Sequence, residues 1–429
     1  MRRVITALLR LLARIFFRRI EIVGIENIPA GAPVIFAVNH PNGLIDPLFL
    51  LCFAPRRVSL LAKAPLFTMP VIGAIVRALD TIPVYRKQDH VAGSNRETFA
   101  RARDVLARGG AIAIFPEGTT HSDSKLRELK SGAARIALGA SMTKIFIVPA
   151  GLYYSAKQTF RSSAAMELGE PIAVRPEMVD ENGEPPATAV DGLTRRIEQG
   201  LAEVTLQAES RQALDLIARA ERVFSAGKAD VVEEREIRRR FIDGYAWLRE
   251  RDPARLQRLV SMLERLEAEL DAASVDPEQL APPTVGGSIR ALAWLLIGMP
   301  LAIAGAIIHY PAYRLVGFIS THFTKEEELT ATLKAIGGAV FFPLTWIVCA
   351  SAVWWRYGGR AAGLAIIVLP IVGYVGLRFF EQLDDVIGGA RALLWRVARR
   401  KAFERFREER RRLKEEVWSA ATVPPLSLP

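Results

Sequence analysis

Cysteine is almost absent: Cys52 and Cys349 are the only two in 429 residues. Two thiols so far apart exclude a disulfide framework and a cysteine-rich metal site. The signatures of several large enzyme classes are missing too. There is no G-x-S-x-G, G-x-x-x-x-G-K-[ST], G-x-G-x-x-G or H-E-x-x-H. That removes the usual serine-hydrolase, nucleotide and metallopeptidase sites. Internal repeats are also lacking. Acidic charge is in deficit, 46 Asp and Glu against 57 Lys and Arg, for a net charge of +11. A basic surface suits anionic partners such as nucleic acid, anionic lipid or phosphorylated substrates.

What the chain has in quantity is apolar sequence. Half of it is hydrophobic, and the mean hydropathy is +0.18. Residues 291–308, 335–355 and 361–377 are uncharged runs of 18, 21 and 17 residues. Runs near 20 match a hydrocarbon core of about 30 Å, and Tyr310, Trp354 and Trp355 stand where an aromatic belt would lie. Residues 288–378 therefore read as two to three transmembrane helices, with Pro300 and the short third run leaving room for a re-entrant segment. Positive charge beside apolar segments points to anionic lipid and away from nucleic acid.

Residues 1–20 carry six arginines and no acid. Arg3, Arg10, Arg14 and Arg18 share one helical face, so this segment reads as a basic amphipathic helix in a membrane interface. The arginines break its apolar runs, and no small-residue cleavage site follows, so a signal peptide is not expected. Residues 21–205 alternate β-rich runs (Val34–Val38, Ala111–Phe115, Ile145–Val148) with helix-like stretches (Asn95–Ala107, Ser131–Ala140). That alternation predicts an α/β domain of sheet and flanking helices. Residues 206–280 are rich in Arg, Glu, Leu and Ala and predict two or three solvated helices. Residues 379–429 form a basic helical tail. The positive-inside tendency prefers both basic ends on the cytoplasmic face, with the α/β domain beside them, which an even number of crossings with one re-entrant segment would satisfy.

Two polar turns directly follow predicted strands. In Asn39-His40-Pro41-Asn42-Gly43-Leu44-Ile45-Asp46, the histidine suits proton transfer near neutral pH. A turn of Pro, Asn and Gly would fold Asp46 back to fix its tautomer. In Phe115-Pro116-Glu117-Gly118-Thr119-Thr120-His121, a Gly-containing turn would offer backbone N–H groups to an anion, and Glu117 would orient an acceptor or hold the loop. Lys63, Arg86, Arg127 and Lys130 lie near these turns in sequence and are candidate phosphate ligands. Each feature alone is also an ordinary loop or a solvated cation.

Taken in order, N-H-x-x-x-x-D, Pro83-Val84-Tyr85-Arg86, F-P-E-G-T and Val148-Pro149-Ala150-Gly151-Leu152 resemble the glycerolipid acyltransferases of phosphatidate synthesis. The resemblance covers roughly residues 20–175. Five residues separate His40 and Asp46 where the family has four, and Thr120 stands where an arginine is common. Both departures, with Thr120-His121 and Phe160-Arg161-Ser162, resemble the fungal glycerol-3-phosphate/dihydroxyacetone-phosphate acyltransferases. The resemblance implies a glycerol-phosphate acyltransferase-like sheet and transfer from acyl-CoA or acyl carrier protein to a glycerol-phosphate or lysophospholipid hydroxyl. It implies His40 and Asp46 as catalytic residues. It implies Asn39, Lys63, Arg86, Glu117, Gly118, Thr119, Lys130 and Pro149 as binding residues, with Pro149 shaping an acyl channel. No metal or bound cofactor is implied. The rival reading is a non-catalytic membrane scaffold that binds anionic lipid.

Overall fold

The computed structural model describes residues 1–421 except 86–94, 122, 141–143, 156–158, 182, 206, 209, 225–230, 281–284 and 323–326. Two compact units make up the chain: Met1–Gln207 with Ser320–Ala335, and the remainder.

The first unit is built on one eight-stranded sheet. Its strands are β1 (Arg19–Val23), β2 (Val34–Val38), β3 (Val58–Lys63), β4 (Ile82–Val84), β5 (Ala111–Ile114), β6 (Ile145–Tyr154), β7 (Ser163–Leu168) and β8 (Ile172–Val174). Their order is β1-β7-β6-β2-β5-β3-β4, with β8 also paired to β6. Strand β2 is Val-Ile-Phe-Ala-Val and all five residues are buried. It runs parallel to both neighbours, β5 and the first half of β6. A near-continuous apolar strand is the pattern of a parallel strand covered on both faces. Strands β3 and β4 extend the parallel set, so β2, β5, β3 and β4 end at the same sheet edge. Past Pro149, β6 pairs antiparallel with β7.

The covering helices are α1 (Arg2–Phe16), α2 (Ile45–Phe53), α3 (Pro70–Ala78), α4 (Asn95–Ala107), α5 (Gly132–Leu138) and α6 (Ala187–Val204). Helix α6 buries Val190, Leu193, Ile197, Leu201 and Val204, a spacing of three and four that keeps one face on the sheet. It packs with α4, α5 and the Ile35/Ala37 side of β2. The Phe36/Val38 side faces α1 and α2, with Phe16, Phe17 and Phe49 in its core. At Gly151 a Cβ would collide with the carbonyl of Val204, so only glycine lets the end of α6 lie this close to β6.

Helix α1 is two-sided. Arg2 donates to the carbonyl of Val58 at 2.6 Å and to Asp80 at 2.8 Å, and Arg10 donates to the carbonyl of Cys52 at 2.8 Å. Ala13 and Phe16 are buried. Val4, Leu8, Leu11 and Leu12 stay exposed as an apolar stripe outside the domain. The basic helix is thus pinned to the sheet domain and still presents apolar surface outward.

The second unit holds α7 (Arg211–Phe224), α8 (Val231–Arg251), α9 (Pro253–Ala273), most of α10 (Val285–His322) and α11 (Glu327–Tyr357), α12 (Gly359–Ala398) and α13 (Arg400–Ala421). Leu259, Leu263, Leu266 and Leu270 of α9 pack with Trp395, Phe403 and Phe406 in one core. The charged 206–280 stretch is therefore packed on its apolar side by the C-terminal helices. Among the described residues, Ala293–His322, Thr332–Tyr357 and Gly359–Ala398 are long and apolar enough to cross a membrane. Leu296, Ile297, Ile307, Val348, Trp355 and Ile367 are exposed on them. Apolar side chains that face outward along such helices suit a lipid surround. Within this set, the Trp346 indole N–H donates to His309 Nε2 at 2.8 Å, and His309 Nδ1 lies 2.7 Å from the carbonyl of Gly305.

Candidate active site

The site forms at the shared edge where β2, β5 and β3 end. Chain reversal there places the turn after β2 beside the turn after β5. His40 follows β2 by two residues, and its Nδ1 lies 2.8 Å from Asp46 Oδ2. Asp46 sits in the first turn of α2 and is fully buried. The same Oδ2 accepts the backbone N–H of Asn42 at 2.7 Å. Oδ1 accepts the Tyr154 hydroxyl at 2.6 Å. A carboxylate only accepts, so Nδ1 of His40 carries the proton and Nε2 is left as the basic nitrogen. The five residues between His40 and Asp46 do not disturb the pairing. The turn closes with the Asp46 N–H donating to the Asn42 carbonyl at 3.1 Å.

Burial pushes the Asp46 carboxyl above its ordinary range, against the pull of His40, Tyr154 and the Asn42 N–H. Burial and the Asp46 charge push the Tyr154 phenol well up, so it stays a proton donor to Asp46.

Glu117 lies at the base of the second turn and is buried. One oxygen accepts the backbone N–H of His40 at 3.0 Å. The other accepts the Arg127 N–H at 3.0 Å and contacts the His121 ring. Burial alone would raise the Glu117 carboxyl, but these donors together hold it below the usual range. The carboxylate is thus spent on protein donors and holds the two turns together. The His121 N–H closes the same junction on the His40 carbonyl at 3.2 Å. The Phe115 ring stacks on the His40 imidazole with centroids 4.1 Å apart. Gly118 has a φ of +71°, the left-handed region that favours glycine. Its N–H donates to the Phe115 carbonyl at 3.0 Å, and a Cβ there would meet the Lys130 side chain at 3.5 Å. Gly118 and Thr119 are exposed at the tip.

The remaining sequence candidates divide. Asn39 is fixed to β6: it donates to the Leu152 carbonyl at 3.2 Å and accepts the Leu152 N–H at 2.6 Å. It orients the turn from below. Lys63 ends β3 at the site edge and is exposed, as is Lys130. Arg127 ion-pairs with Asp123 at 2.6 Å. Pro149 is buried and packs against Gly200 of α6. Arg86 lies outside the described residues. Sequence reasoning missed Tyr154 and gave His121 no role. Tyr154 lies 108 residues from Asp46, and nothing local marks it. His121 stands four residues after Glu117, a spacing that in a loop carries no signal.

The Acyltransferase family model matches residues 19–153, which span β1 to the end of β6 and include both turns. Residues 19–153 form an acyltransferase-family domain. The chain is 28% identical to glycerol-3-phosphate O-acyltransferase 2 of Saccharomyces cerevisiae over 59% of its own length and 37% of the relative's. It is 24% identical to glycerol-3-phosphate O-acyltransferase 1 of that yeast over 94% of its own length and 68% of the relative's. It is 32% identical to the 1-acyl-sn-glycerol-3-phosphate acyltransferase of Borreliella burgdorferi over 32% of this chain and 51% of the relative. The 1-acyl-sn-glycerophosphate acyltransferase PlsC of Thermotoga maritima aligns over 47% of this chain and 80% of its own at 18% identity and a TM-score of 0.35. The chain thus spans well under half the length of one yeast relative and about two thirds of the other. The His40–Asp46 pair that the structure joins lies within residues 19–153.

Proposed function

We propose that this chain is a membrane-bound O-acyltransferase that moves a fatty acyl group from a thioester to a hydroxyl of a glycerol-phosphate-type acceptor. The observation that carries the reading is the His40–Asp46 pair, 2.8 Å apart at a sheet edge within the acyltransferase domain. His40 Nε2 takes the proton of the acceptor hydroxyl as its oxygen attacks the thioester carbonyl. The C–S bond breaks, and the sulfur leaves as thiolate and takes the proton back from His40. Asp46 stabilises the imidazolium between these steps. Lys63, Arg86 and Lys130 are the cations assigned to the acceptor phosphate, and Gly118 and Thr119 form the exposed lip.

The donor is acyl-CoA or acyl carrier protein, and the acceptor is glycerol 3-phosphate or a lysophospholipid such as 1-acylglycerol 3-phosphate. The apolar helices support residence in a membrane, and an even number of crossings, with one segment re-entrant, puts the acyltransferase domain and both basic ends on the cytoplasmic face. Membranes containing the full chain, given labelled acyl-CoA and each acceptor in turn, test the reading. Labelled product with one phosphorylated acceptor, reduced about 10²–10⁴-fold in His40→Ala, supports it. Equal labelling in His40→Ala, or none with any acceptor or donor, rejects it.

A further inference from the structure

Asp46 is held from two sides, and only one of them is His40. The second holder, Tyr154, is the last residue of β6, and its hydroxyl lies 2.6 Å from Asp46 Oδ1. The phenol donates because burial and the neighbouring carboxylate oppose its ionisation. The ring is fixed as well as the hydroxyl. Phe17 stacks on it with centroids 5.6 Å apart and 25° between the planes, and Phe49 of α2 meets it edge-on at 5.9 Å.

Phe17 is where helix α1 ends. Its N–H closes α1 on the Ala13 carbonyl at 2.8 Å. The Arg161 guanidinium gathers the Arg14, Ile15 and Phe17 carbonyls at 3.0–3.1 Å, satisfying the open acceptors of the last helical turn. The Arg161 backbone has a left-handed φ of +66°. An uninterrupted set of contacts therefore leads from the capped end of α1 through Phe17 and Tyr154 to Asp46 and His40.

We propose that Tyr154 is a positioning residue for the general base: it keeps Asp46 ionised and aimed at His40, and Phe17 ties that hold to the seating of α1. This rests on the acyl-transfer reading. Tyr154 touches no reacting atom in it. A hydroxyl donating to an ionised carboxylate favours the charged form. Without it, the Asp46 carboxylate binds a proton more readily and ceases to support His40 as a base. The acid limb of the pH–rate profile then moves to higher pH, a response that plain loss of packing does not produce.

The test uses the full-length chain in membranes, with acyl-CoA and the phosphorylated acceptor that wild type uses. Tyr154→Phe retains the ring and loses only the hydroxyl. The expected result is a kcat lower by roughly tenfold or more, an acceptor KM within about twofold of wild type, and an acid limb displaced upward. Combined with Asp46→Asn, it should cost little beyond Asp46→Asn alone, since the two act through one carboxylate. Phe17→Leu, which keeps an apolar side chain and removes the stack, should shift the acid limb in the same direction by less. A Tyr154→Phe enzyme with wild-type kcat and pH profile overturns the proposal. So does a kcat loss that adds in full to that of Asp46→Asn. Either result leaves the acyl-transfer reading intact, whereas an inactive wild type rejects that reading by itself.

Discussion

Glu117 accepts the backbone N–H of His40 at 3.0 Å, so the turn after β5 sets the position of the turn after β2. The sequence places these residues 77 apart. Glu117 also meets the His121 ring and the Arg127 N–H, so its carboxylate joins three protein groups at this junction.

That role has a pH signature. The Glu117 carboxyl is held low, so its stabilising contribution is complete above the ordinary glutamate value of about 4.3. It disappears as pH falls through the lower folded value. Glu117→Gln should therefore lower Tm at pH 7 relative to wild type, with the gap closing below about pH 4. Thermal unfolding of both proteins from pH 3 to 7 checks this. A gap constant across the range would mean that the charge of Glu117 is irrelevant.

Asp46 has the opposite sign. Its folded carboxyl is raised, so its contribution is intact below the ordinary value of about 3.9 and is lost as pH rises through the folded value. At neutral pH the buried charge costs stability. The amide introduced by Asp46→Asn keeps an acceptor toward His40 but turns an N–H toward the Tyr154 hydroxyl, which is itself a donor. The Tm of Asp46→Asn relative to wild type should therefore rise as pH increases from about 4 to 7, while activity falls about 10²-fold or more. Unfolding curves across that range and rates on the same preparation decide it, and a Tm difference that does not change with pH would contradict the assignment.

Phosphate recognition is expected to rest on exposed cations around the site edge. Lys63→Ala and Lys130→Ala should each raise the acceptor KM roughly tenfold, since a charge-assisted contact is worth about 1.5–3 kcal/mol. The acyl-donor KM should change much less. Kinetics with both substrates varied measure this. Equal rates with an unphosphorylated acceptor would remove the phosphate from the recognition scheme.

Among the apolar helices, His309 bridges α10 and α11 through Trp346. It also lies against Gly373 of α12. Replacing it strands the indole N–H, and interhelical hydrogen bonds of this kind are worth about 0.6–2 kcal/mol in membranes. His309→Leu should lower the melting temperature of the detergent-solubilised chain by a few degrees and leave the acceptor KM unchanged. A melting curve that superposes on wild type would show that the bridge contributes nothing.

The sequence by itself determined the elements whose signal is local. Alternation of apolar runs and turns marked β2, β5 and β6, since a parallel strand buried on both faces must be continuously apolar. Uncharged runs marked the three long helices, because length and hydropathy need no partner. The His40–Asp46 pair was legible because six residues and a turn bring the two together. Only the tertiary structure decided the rest. It made Glu117 a clamp, put Tyr154 on Asp46 and gave the 206–280 helices a core shared with α12 and α13. Each of these depends on contacts between residues far apart in sequence, set by strand order and helix packing, and no local pattern encodes such a contact.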